Sequence, residues 1–315
     1  FKANIGAVGW KIIFDAYACT IMLSRSVLPD LCFSRLGQTE CLRKVVSMHD
    51  TYDIKAAFFD IDGTLTSFVT HVVPQSTVDA LRALQAKGVK IFICSGRAPS
   101  YMGVVLNTIP VTFDGIVGLN GQYCMDNTGL SYRHPLDQVD VERITAWLDE
   151  HTNVIANYAE SDHGYFNRVD EAMRQTWKSL GKTAPKVDIC DPHTRITDHP
   201  TFQISPYVDR AVEAEITGIC DNVRGVRWHP DFTDLIPADG GKAKGMQVML
   251  EHYGWHRGNA IAFGDGGNDV DMLEYAGIGV AMGNATEEPK RAADYITDSV
   301  DGAGIANALH HFAIL

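Results

Sequence analysis

Three short apolar runs in this chain each break off into a polar cluster, and that pattern restricts the fold more than any other feature. Ala56-Ala57-Phe58-Phe59 runs into Asp60-Ile61-Asp62-Gly63-Thr64. Val89 to Cys94 runs into Ser95-Gly96-Arg97, and Ala260 to Phe263 runs into Gly264-Asp265-Gly266-Gly267-Asn268-Asp269. A strand without polar side chains must be buried on both faces, which is the condition of a strand inside a parallel sheet covered by helices. Pro74 to Lys87 has helical spacing through Val78, Leu81 and Leu84, and Gly88 stops it. Met246, Met249, Leu250 and Tyr253 form another helical stripe, ended by Gly254. Strand–helix–strand alternation of this kind predicts an α/β fold, a Rossmann-like parallel sheet flanked by helices.

The middle of the chain reads differently. Gln122–Met125 and Leu130–Arg133 flank Asp126-Asn127-Thr128-Gly129, a hairpin signal. Helices are expected near Val139–His151 and Ala211–Cys220, and strands at Val154–Tyr158, Phe202–Ile204 and Val226–Trp228. The expectation is an α+β domain over 120–234, inserted into a core made of 48–119 and 235–315. A length of 315 residues suits about two domains. The first 47 residues stand apart: six basic and three acidic side chains give +3, so the remainder carries −15 of the net −12. They are expected to be an extension, non-native or poorly ordered, with no part in the chemistry. Lys11, Asp15, Arg25 and Asp30 interrupt their apolar stretch, so no run reaches the ~18 residues of a membrane span. The acidic balance disfavours nucleic acid as a partner. Seven scattered cysteines without a CxxC pair predict a reducing, cytoplasmic location and no zinc site.

Ligands of open parallel sheets bind beyond the carboxyl ends of the strands. The three polar clusters would therefore meet at one edge, joined by a lysine from Gly241-Lys242-Ala243-Lys244-Gly245. Several carboxylates in one place repel one another and call for a cation, and oxygen-only ligands suit Mg²⁺. Such an ion, with a lysine, a hydroxyl and loop amides, matches a phosphoryl group. An aspartate at a strand end can attack phosphorus, and a second acid two residues on can protonate the leaving oxygen and then activate water.

At these residues the sequence resembles the phosphatase signature of the haloacid dehalogenase superfamily: Asp60-Ile61-Asp62-Gly63-Thr64, a strand ending in Ser95, a lysine, and Gly264 to Asp269. The resemblance implies Asp60 as nucleophile and Asp62 as general acid/base. It implies Mg²⁺ held by Asp60, the Asp62 backbone carbonyl and Asp265, with Asp269 in support. Ser95, the Gly96 amide, Asn268 and a lysine would hold the phosphoryl group. The family pattern puts that lysine directly before a glycine, which selects Lys244 and leaves Lys242 a solvated neighbour. Only 35 residues separate Asp60 from Ser95, whereas 149 separate Ser95 from Lys244. That layout resembles the Cof-like, type IIB members, with an α+β cap in the second interval. The implied activity is Mg²⁺-dependent hydrolysis of a small phosphate monoester, a sugar phosphate or related metabolite, through an aspartyl-phosphate. A hexose phosphomutase and a non-catalytic binding protein of the same fold are the alternatives. Polar residues between Asn157 and Arg168 are candidates to face the substrate. Oligomeric state is unreadable from the sequence.

Overall fold

The structure, a computed structural model, describes residues 52–315 apart from 185 and 187; the expectation for 1–47 lies outside the described residues. Strand β1 (Ala56–Phe59) is fully buried and sits at the centre of an eight-stranded sheet. It pairs in parallel with β2 (Lys90–Cys94) on one side and with Ala260–Gly264 on the other. Phe59 is level with both Ile93 and Phe263. That shared register delivers Asp60, Ser95 and Asp265 to one edge, as buried parallel strands of matched length must. Beyond β2 lies β3 (Gly115–Gly118), also parallel. Ile278–Ala281 and Tyr295–Ile296 complete the parallel part on the far side.

Alternation along each strand fills two separate layers. Ala57, Phe59, Ile91, Ile93 and Phe263 face α1 (Gln75–Ala86) and the helix Gly304–His311, while Ala56, Phe58, Phe92, Ala262 and Cys94 face Met246, Met249, Met272 and Leu273. Val78, Leu81 and Leu84 of α1 are buried, which is the face its spacing predicted. The helix closes at Lys87, and Gly88 leaves it at φ 79°, a left-handed turn that costs glycine nothing.

Two expected boundaries are corrected. The hairpin β4 (Tyr123–Asp126) and β5 (Ser131–Arg133), read as part of the insert, extends the first sheet as its antiparallel edge. Buried Cys124 packs there with Val117 and Met246, so the hairpin's apolar face belongs to the core layer. Leu235, where the core was expected to resume, lies in a second sheet. That sheet is antiparallel throughout, in the order Gly164–Phe166, Ala156–Ala159, Gln203–Pro206, Asp234–Pro237, Val223–Val226. Leu235 is opposite Ile204. Both segments are short, and periodicity alone does not say which sheet such a segment joins. The helix Gln138–Glu150 packs Val141, Ile144, Trp147 and Leu148 on this second sheet, as its stripe predicted. The hairpin around Asp162 holds Tyr158 and Tyr165 stacked and fully buried in the insert's core. No helix among the described residues is long and apolar enough to cross a membrane.

Candidate active site

The loop after β1 is shaped by contacts with the loop after Ala260–Gly264. Gly63 has φ 88°, and a Cβ there would lie 2.1 Å from Asp265 Oδ2, so both conformation and space demand glycine. The fully buried Thr64 hydroxyl donates to Asp265 Oδ1 at 2.8 Å. Asn284 donates from Nδ2 to the Gly63 carbonyl at 2.8 Å, pinning the loop from a third segment. Asp269 braces its own turn: Oδ2 accepts from the Asp265 and Gly266 amides, both at 2.8 Å.

Asp60, Asp265 and Asp269 are buried, with one carboxylate oxygen of each within 4.8 Å of the others. Their charge is met by Lys242. Its Nζ donates to Asp60 Oδ1 at 2.6 Å and to Asp269 Oδ1 at 2.5 Å, and its side chain is wholly buried. Here the sequence reading is corrected, because Lys242, not Lys244, reaches the carboxylates. The helix Lys242–His252 begins at Lys242 itself, after Gly241 at φ 137°, so the lysine of the first turn points to the strand ends. Lys244 is half-buried and near Asp239, whose carboxyl is held below its ordinary value first by the hydrogen bond with His134 and to a smaller degree by this lysine. Gly245, whose position selected Lys244, answers a packing need: a Cβ there would lie 2.3 Å from Val117 and 2.8 Å from the Gly121 backbone.

Asp62 also differs in its surroundings. Its carboxylate is outside the acidic trio and takes a two-pronged grip from Arg97, Nε to Oδ2 at 2.6 Å and Nη2 to Oδ1 at 2.8 Å. Arg97 was visible in the second polar cluster but was given no role; its place two residues after Ser95 was the available signal. Ser95 is buried at the tip of β2, and its Oγ accepts from the Arg97 amide at 3.2 Å. Gly96 lies beside the side-chain amides of Asn120 and Asn268, which a Cβ would approach to 3.1–3.3 Å. Asn268 donates to Asn120 Oδ1 at 2.9 Å. Asn120, at φ 52°, is a left-handed residue of the kind asparagine tolerates. Its Nδ2 donates to Gln203 and to Asp234, both at 2.9 Å and both on the second sheet.

Electrostatics follow from burial. The Asp60 carboxyl is pushed up to about 7, by burial first, opposed by Lys242 and reinforced by Asp269 and Asp62. Burial, with Asp60 and Asp269 as neighbours, raises Asp265 well above the usual carboxylate range. Burial works against the Lys242 charge, but Asp269 and Asp60 outweigh it and raise its pKa. Fully ionised, three carboxylates against one ammonium would leave two buried negative charges, a state that burial and mutual repulsion oppose, and the ligand atoms are all oxygen. A hard divalent cation fits that set in charge and ligand type.

A cavity of about 240 Å³ opens from these residues toward the second sheet, bounded by Asp60, Asp62 and Ser95 below and by Asn157, Gln203 and Trp228 above. Of the polar stretch between Asn157 and Arg168, only Asn157 lines it. Glu160 instead pairs with Arg195, Asn167 accepts from the Ala156 amide, and Arg168 donates to the Thr152 carbonyl.

Comparison with known proteins agrees with this geometry. A Bacillus subtilis (strain 168) protein named "Putative phosphatase YkrA" is 32% identical over 263 residues, 84% of this chain and 99% of its own. The solved structure of BT4131, described as a sugar phosphatase of subclass IIB, is similar with a TM-score of 0.75 and 34% identity, over 83% of this chain and all of that one. BT1666 of Bacteroides thetaiotaomicron, described as a phosphatase of the same superfamily, gives a TM-score of 0.74 and 32% identity, over 85% of this chain and 98% of its own. The family profile for haloacid dehalogenase-like hydrolases matches residues 57–309, and the chain belongs to that family.

Proposed function

We propose that this hydrolase is a Mg²⁺-dependent phosphatase of a small phosphate monoester, working through an aspartyl-phosphate. The observation that carries the reading is the meeting of Asp60, Asp62, Lys242, Asp265 and Asp269 at one end of one cavity. Asp60 is the nucleophile: it stands at the end of a rigid strand, and Lys242 holds one of its oxygens so that the other is directed outward. Asp62 is the general acid and base. Arg97 fixes its orientation toward the cavity, and a phosphoryl group entering beside the guanidinium would compete for that grip and loosen it. Ser95, the Gly96 amide and Asn268 hold the phosphoryl oxygens. Asp60, Asp265 and the Asp62 backbone carbonyl would hold the cation, with Asp269 bracing the loop. When bound, the cation supplies charge neutralisation for the phosphoryl oxygens.

A phosphomutase must bind a second phosphate in the insert. No lysine or arginine of the insert lines the cavity among the described residues, which favours hydrolysis over that alternative. The same acidic surroundings disfavour nucleic acid as a partner, and the four described cysteines, all free, suit a reducing compartment such as the cytoplasm. The test is turnover of p-nitrophenyl phosphate with Mg²⁺. Asp60→Asn should abolish it, and undiminished turnover would remove Asp60 from the nucleophile's role.

A further inference from the structure

The upper end of the cavity bears on what the leaving group is, given the phosphatase reading. Its walls are rings. Phe166 meets Trp177 edge-on with centroids 5.1 Å apart, Tyr207 lies 5.2 Å from Phe232, and Trp228 lies 5.1 Å from Phe232. All five line the cavity, with Trp228 reaching the loop of Asp265 to Asp269, where its Cβ lies beside Gly266. Phe68, 46% exposed, stands at the cavity from the loop after Asp62.

Several polar groups beside these rings are already engaged with one another. Ser205 donates to Asp234 Oδ1 at 2.7 Å, while Asn120 and Trp228 donate to Asp234 Oδ2 at 2.9 and 3.2 Å. Gln203 accepts from Asn120 and donates to Ser205. Asn157 Nδ2 donates to the Tyr165 carbonyl. A sugar carries several hydroxyls, and each one buried without a partner costs on the order of 1–3 kcal/mol. The buried Tyr207 hydroxyl could meet one of them, but Ser205, Gln203 and Asn157 would have to give up bonds they already make to meet the rest. Among the described residues, no lysine or arginine of the insert lines the cavity to receive a second anionic group. The volume, about 240 Å³, falls below the ~300–1,000 Å³ of sites for drug-sized ligands and admits one ring with a phosphoryl group.

We propose that the preferred substrate is a monophosphate ester of an uncharged alcohol bearing a single flat aromatic ring. The ring sits among Trp177, Tyr207, Trp228 and Phe232, and the phosphoryl group sits at Asp60. In the reaction an Asp60 oxygen bonds to phosphorus as the ester P–O bond breaks and the alcohol leaves with a proton from Asp62; water, giving a proton back to Asp62, then takes the phosphoryl group from Asp60 and releases inorganic phosphate.

The test uses the full chain with Mg²⁺ and three esters of similar size: benzyl phosphate, cyclohexylmethyl phosphate and glucose 6-phosphate. The expected result is kcat/KM for benzyl phosphate about tenfold or more above each of the others, as ring–ring contacts beyond simple burial supply. Trp177→Leu should reduce the benzyl to cyclohexylmethyl ratio to about threefold or less. Equal or reversed preference overturns the inference while leaving the phosphatase reading standing. Calorimetric binding of benzylphosphonate against cyclohexylmethylphosphonate reads the ring preference without turnover. Ring-selective binding with no phosphate released from any ester would overturn the phosphatase reading alone; equal affinities would overturn the ring.

Discussion

Replacing Lys242 with methionine separates this site from a mere concentration of acids. The substitution keeps most of the chain's volume and removes the one ammonium that touches Asp60 and Asp269, at 2.6 and 2.5 Å. Removing one partner of a buried ion pair costs about 3–5 kcal/mol, because the stranded carboxylates keep their desolvation penalty. For a chain of this size each kcal/mol moves Tm by roughly 2–4 °C, so the apo variant should melt about 6–20 °C lower. Mg²⁺ should recover part of that loss, since the acidic trio then lacks a cation that the metal can supply. The catalytic cost is separate. Lys242 also holds one oxygen of the proposed nucleophile Asp60, and a misplaced reacting group costs about 10²-fold in kcat. Steady-state phosphate release at saturating Mg²⁺, with circular dichroism to show that the variant is folded, should find a kcat loss of that order. Lys244→Met should change kcat by less than about threefold, because that side chain lies away from the acids. A folded Lys242→Met enzyme with near-parental kcat, or a Lys244→Met enzyme as impaired as expected for Lys242→Met, would refute the reasoning.

Gly63→Ala should lower both Tm and activity, by about 1–3 kcal/mol from backbone strain alone and more from the collision with Asp265; parental values for both would show that the loop relaxes freely. Mg²⁺ should raise Tm in a saturable way and restore turnover after EDTA, whereas Ca²⁺ should restore little, its looser coordination leaving Asp60 misaligned; full activity with Ca²⁺ would contradict this. Burial pushes Asp234 up to about 6, so between about pH 4 and 6 the folded chain holds a proton the unfolded chain has lost. Stability from this group therefore falls as pH rises through that window, and Asp234→Asn should gain on the parent by up to roughly 3 kcal/mol between pH 4 and 7.5; a pH-independent difference in denaturant melts would argue against it.

What was legible in the sequence is what burial writes into it. β1, β2 and Ala260–Gly264 carry no polar side chain in their interiors, so their ends, and with them Asp60, Ser95 and Asp265, were placed at one edge before any coordinates. The lysine was misread because a glycine has more than one use. Gly245 is small so that the helix can approach Val117 and Gly121, and that need says nothing about the residue before it. Lys242 could have been chosen from Gly241, whose left-handed φ marks where the helix starts. The hairpin 123–133 was seen as an element but assigned to the insert, and the segment at Leu235 was taken as the point where the core resumes; partner choice rests on pairings, such as Cys124 with Val117 and Leu235 with Ile204, that periodicity does not encode. The helix Glu171–Leu180 passed unnoticed although Asp170 caps it, accepting from the Met173 amide, with Glu171 in its first turn.

Two sets of buried aspartates in this fold have opposite meanings, and hydrogen bonding tells them apart. Asp234 accepts from Ser205, Asn120 and Trp228, three donors fixed by the surrounding sheet. A carboxylate so supplied needs no ion, and its place between Asn120, in the turn that joins β3 to β4, and Ser205 of the second sheet makes it a joint between the two. Asp60 and Asp265 are as deeply buried, yet among the described residues each accepts a single side-chain hydrogen bond, from Lys242 and from Thr64. Burial with so few donors is costly unless something else arrives. The fold accepts that cost at the one place where three strand ends meet, and holds it there with Gly63, Asn284 and Asp269. In the proposed mechanism it is the incompleteness of Asp60 and Asp265, more than their acidity, that a cation and a phosphoryl group would make good.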